Sequence, residues 1–79
     1  MSKSELTAQE IQFKLQEQIE KISEVLEDGV TLQAPLPYWH ADDASGCNWN
    51  ISVVANSVAY VQQIVGIVSA MRSVYQLKV

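Results

Sequence analysis

Most of the residues suited to chemistry in this 79-residue chain lie in one stretch, PYWHADDASGCNWN, positions 37–50, which holds both tryptophans, the only histidine and the only cysteine. A zinc site would need three or four converging Cys, His or carboxylate ligands, and His40, Asp42 and Cys47 could supply three from one loop. No second histidine or Cys-x-x-Cys pair accompanies them. The plainer reading is that His40 and the aspartates are hydrophilic loop residues, with Asp43-Ala44-Ser45-Gly46 an ordinary turn. Cys47 as a nucleophile would need His40 as base, oxyanion donors and a shaped pocket, for which so short a chain has little material. We therefore expect no enzyme activity, no metal and no cofactor, with Cys47 packed beneath the loop.

The aromatic residues allow two readings. Trp39 and Trp49 can fold over the helix ends and cover the core, or Tyr38, Trp39 and Trp49 can stand out as a recognition edge, because such side chains dominate interface hot spots. Charge narrows the partners. The formal net charge is −4, all nine acids lie between Glu5 and Asp43, and only Arg72 and Lys78 are charged beyond that point. An acidic balance argues against direct nucleic-acid binding, which depends on Lys and Arg neutralising phosphates. A lone cysteine and an N-terminus without an apolar core point to the cytoplasm as the default compartment. The sequon Asn50-Ile51-Ser52 would matter only in a secreted chain.

The elements that must position these residues are legible in part. Thr7 and Glu10 form a capping box, Leu6 and Ile11 stand at the staple positions, and Asp28-Gly29 marks a stop. Between them Ala8, Ile11, Leu15, Ile19, Ile22 and Leu26 recur at helical spacing, with Val25 at the edge of the stripe, so the first helix is expected over residues 8–27. Its outer face carries Glu10, Glu17, Glu20, Glu24 and Glu27. Phe13 projects among these acids, where an exposed aromatic can anchor a partner.

Residues 28–49 show no helical period, and Pro35 and Pro37 exclude a continuous helix, so a long loop is expected. One alternative is a short hairpin, with PYWHA pairing CNWNI across DDASG. Residues 50–77 are then expected to form a second helix, capped by Asn48 or Asn50. A four-three run of Val54, Val58, Val61, Val65, Val68, Arg72 and Tyr75 lies beside a second seam of Val53, Ser57, Tyr60, Ile64, Ile67, Met71 and Val74. Such a helix, apolar or small nearly all round, belongs in a bundle centre or a membrane.

These patterns predict a single all-α domain, an antiparallel helical hairpin with a long aromatic loop. Dimerisation into a four-helix bundle would bury Val54, Val58, Val61, Val65, Val68 and Tyr75 as the oligomer interface. The expected function is a small non-catalytic protein-protein interaction module acting as a homo-oligomer. Phe13, Glu17, Glu20, Glu24, Tyr38, Trp39 and Trp49 are its candidate contacts to an unidentified protein partner. Two alternatives stand beside it. One is a small acidic inhibitory or accessory factor of phage or mobile-element type that blocks a basic surface on a nucleic-acid enzyme. The other is a single membrane span over 51–71, disfavoured by Asn56, Gln62 and Gln63.

Overall fold

A computed structural model describes residues 3–78. It is mixed α/β, not the all-α hairpin expected from periodicity. In chain order it contains strand β1 (Ser4–Leu6), helix α1 (Ala8–Glu20), helix α2 (Ser23–Asp28), strands β2 (Tyr38–Trp39) and β3 (Trp49–Asn50), a 3-10 turn (Val58–Tyr60), helix α3 (Val61–Val74) and strand β4 (Tyr75–Leu77). Strands β1 and β4 pair in parallel, Ser4 against Tyr75 and Leu6 against Leu77, while β2 and β3 form an antiparallel ladder. That ladder is the hairpin alternative for the aromatic stretch.

Helix α1 begins where its local signals place it. The Thr7 side chain accepts from the Glu10 N–H and the Glu10 carboxylate accepts from the Thr7 N–H, closing the capping box. The Thr7 N–H holds the Glu10 carboxyl below its ordinary pKa. The helix does not run to residue 27. Ile22 is extended at ψ 122°, which ends α1 and restarts the chain as α2. The break re-aims the next turn: Val25 enters the core at 4% exposure, whereas Leu26, expected on the buried stripe, is 67% exposed. Gly29 then stops α2 in the left-handed conformation at φ 65°, as glycine permits.

The second helix of 50–77 is also corrected. Residues 51–57 are not helical, Asn56 sits at φ 60°, and a regular helix starts only at Val61 without a side-chain cap. Asn50 lies on β3, where its side chain accepts from the Ile51 N–H, and Asn48 bonds elsewhere, so neither caps α3. The β-branched pair Val53-Val54 and the left-handed Asn56 oppose helix here. At the other end Tyr75 turns extended, because the backbone of β1 supplies a strand partner. The continuous valine seam is thereby divided, which removes the basis for a four-helix bundle. Residues 51–71, the alternative membrane span, likewise do not form one helix. Among the described residues no helix is long and apolar enough to cross a bilayer; α3, with 14 residues, is about 21 Å long against a hydrocarbon core of about 30 Å.

The core lies between α1 and α3: Ile11, Leu15 and Ile19 face Ile64, Val68 and Met71, and Leu32, Cys47, Trp49, Val54 and Leu77 complete it. The long connection after Gly29 is fastened to α1 by two glutamines. Gln16 accepts from Ala34 N–H at 2.7 Å and donates to Leu32 O at 2.8 Å, and Gln12 donates to Ala34 O at 2.9 Å. These side-chain amides stand in for a neighbouring strand, so the backbone of a loop packed on the core remains hydrogen-bonded.

Candidate functional site

The aromatic stretch divides into a structural half and an exposed half. From Asp43 onward nearly every polar group is engaged. Gly46, at φ 77°, donates its N–H to Asp43 O at 2.9 Å to close a tight turn. The Asp43 carboxylate accepts from the Ser45 hydroxyl, the Cys47 and Ser45 N–H groups and the Arg72 guanidinium. The Ser45 hydroxyl first, then the other donors, hold its pKa far below the ordinary carboxylate value. Arg72 also donates from Nε to Trp49 O at 2.9 Å, tying α3 to β3.

Asn48 is buried, and its amide is the joint between the two sheets. It accepts from Leu77 N–H at 2.8 Å and donates to Leu77 O at 3.0 Å, as a strand would. Trp49 is fully buried, with Nε1 donating to Tyr75 O at 3.0 Å. Trp49 is therefore a core residue, closed to a partner in this conformation, whereas Tyr38 and Trp39 are half exposed.

The residues that could serve metal or nucleophilic chemistry do not converge. Cys47 is fully buried with its thiol against Trp49 O, the His40 ring contacts Ala41 O through Nδ1, and Asp42 accepts from Gln76. Among the described residues no three His, Cys, Asp or Glu groups gather at one point. The enclosed Cys47 thiol donates to the Trp49 carbonyl, and no hydrogen bond joins it to His40 among the described residues.

One exposed apolar surface lies along residues 53–65. Val53 and Val58 are each 90% exposed, Val65 57% and Val61 46%, while Val54 and Val68 of the same predicted seam are buried in the chain's own core and Tyr75 is partly buried. Beside this ridge runs a groove of about 320 Å³ between residues 50–57 and α3, walled by Val53, Val54, Val61, Ile64, Val65 and Val68. Arg72 is the one charged residue that lines it, and Asp43 engages its guanidinium. From Ala44 to Met71 the sequence has no Asp, Glu, Lys or Arg.

Elsewhere α1 presents Phe13, 66% exposed, among Gln9, Glu10, Lys14 and Glu17. Glu20 and Glu24 are exposed as well. A wider groove of about 700 Å³ between α1 and α3 is rimmed by Lys14, Lys21, Glu17 and Glu24, with Lys14 placed 5.8 Å from the centre of the Tyr75 ring. Its charges are mixed in sign and select neither anion nor cation.

Sequence reasoning missed three roles: Gln12 and Gln16 as a strap, Asn48 as the joint between the sheets, and Tyr60 with Asp28 as a link. The Tyr60 hydroxyl donates to Asp28, which raises the Tyr60 pKa and fastens the entry of α3 to the end of α2. Only the two glutamines, one turn apart, carried a local signal. Compared with family models, curated proteins and solved structures, the chain matches none.

Proposed function

We propose that this chain is a non-catalytic protein-protein interaction module that acts as a homo-oligomer through its uncharged valine face. The observation that carries the reading is the exposure of Val53 and Val58 at 90% beside Val61 and Val65, on a segment free of Asp, Glu, Lys and Arg. A small folded chain has little reason to leave four valines and an apolar groove against water unless a surface covers them. Charge favours a second copy as that surface. Each copy carries −4, so an acidic face meeting itself would be repelled, whereas a neutral face meets its own copy without like charges in contact. A ridge beside a groove is self-complementary about a two-fold axis, the commonest symmetry of homo-oligomers.

Light scattering coupled to size exclusion, at two protein concentrations, tests this. The mass should exceed the 8.8 kDa of one chain and rise with concentration. Val58→Glu and Val65→Glu, at exposed positions, should keep the helical circular dichroism and return the mass to one chain. A single-chain mass at both concentrations, or an assembly indifferent to both substitutions, overturns the reading.

A further inference from the structure

One rim of the groove between α1 and α3 carries an ordered set of charges. In chain order they are Lys14, Glu17, Lys21 and Glu24, all exposed. The signs alternate plus, minus, plus, minus, and the spacings of three, four and three residues are the same read in either direction. Read backwards, the order is minus, plus, minus, plus. A second copy laid antiparallel therefore sets Glu24 against Lys14 and Lys21 against Glu17, and a two-fold axis repeats both pairings, whereas a parallel copy in register sets like charges together. None of the four forms an ion pair within its own chain among the described residues, although Glu17 and Lys21 stand four apart at the end of one helix, a spacing at which such pairs form.

Between the rims the groove is apolar and open. Ile22 and Met71 are buried, Ile67 is partly buried, and a side chain built at Gly66 of α3 would meet nothing within 4 Å. From Lys14 to Glu24 the rim covers about three helical turns, or about 15 Å, the length of a short helix-to-helix contact. We infer that this groove is a second self-association surface, taken by α1 of another copy laid antiparallel about a two-fold axis. The four rim charges sum to zero, so the copies meet here without the repulsion that their net charge of −4 brings elsewhere. Exposed charge pairs contribute little each and are screened by salt, so this pairing needs more protein and less salt than the valine contact. The two grooves share no lining residue, and either assignment stands without the other.

Sedimentation equilibrium at low salt tests this, on the full chain carrying Val58→Glu and at concentrations above those that leave it a single chain. The mass should again exceed the 8.8 kDa of one chain. Adding Lys21→Glu should weaken the association about tenfold, because the two-fold axis enters the repulsion twice. Lys78→Glu makes the same change of charge at an exposed residue that lines neither groove, and should weaken it by less than about threefold. Glu17→Lys alone should also weaken it, but an equal mixture of the Lys21→Glu and Glu17→Lys chains should associate as tightly as the parent, since both pairings across the axis are then attractive. Gly66→Leu fills the groove without meeting its own chain, so it should abolish the association and leave the urea midpoint no lower. The inference is overturned if the mass stays that of one chain at every concentration, if Lys78→Glu acts as strongly as Lys21→Glu, if the mixture restores nothing, or if Gly66→Leu has no effect. An assembly that ignores Val58→Glu but follows the charge pattern keeps this inference and removes the valine reading.

Discussion

Trp39 and Trp49 stand directly opposite each other on one short ladder, yet one is 55% exposed and the other fully buried. Residue type and strand pairing are the same for both. The difference lies in their partners: Arg72 and Tyr75 take the Trp49 carbonyl and indole N–H, while no described residue hydrogen-bonds the Trp39 indole. A tryptophan becomes core where a third element supplies polar partners for it, and surface where none does.

The comparison can be broken from its buried side. Trp49→Ala should have the largest effect, destabilising the fold by about 3–5 kcal/mol, the range for a large core aromatic and a sizeable part of a small domain's stability. Urea denaturation measures it, and a loss below about 1 kcal/mol, the size of an ordinary surface change, would deny Trp49 its core role. Asn48→Ala strands the N–H and carbonyl of Leu77 in the interior and should cost about 2–4 kcal/mol, with faster amide exchange at Leu77 as its signature.

Acid should act next, through Asp43. Its folded pKa is depressed, so the stability it contributes is fully present above the unfolded carboxylate value of about 3.9 and is lost as pH falls below it. The gap in urea midpoint between wild type and Asp43→Asn should be widest near neutrality and narrow below about pH 4. A gap independent of pH would mean that shape, not charge, holds the turn. Trp39→Ala should do least, within about 0.5 kcal/mol, as expected of a surface position. A large loss there would place Trp39 with Trp49 as core and remove the contrast.

Legibility in the sequence divides along the same line. The capping box at Thr7, the Ile11-Leu15-Ile19 stripe and the Gly29 stop are readable because their partners lie within one or two helical turns. The turn after Asp43 is readable for the same reason, and the hairpin stands as an alternative because the turn-forming DDASG separates the runs PYWHA and CNWNI. The second half reads wrongly as one helix because four-three spacing of valines fits a helix as well as a chain that changes conformation and still buries Val54, Ile64 and Val68. Of the candidate site, the exposure of Phe13 and the absence of charge between Asp43 and Arg72 are visible in the sequence; the division between Tyr38 and Trp39 outside and Trp49 inside is not.

Amino-acid order alone sets where the first helix starts, where the chain must turn, and that everything between Asp43 and Arg72 is uncharged. Those properties depend on side chains acting on backbone a few residues away, or on composition. It took the folded chain to decide that α1 breaks at Ile22, that Tyr75 leaves its helix to pair with Ser4, and that Asn48 joins the sheets instead of capping α3. Each of those outcomes depends on backbone donors and acceptors distant in sequence or on core packing, and local periodicity records neither.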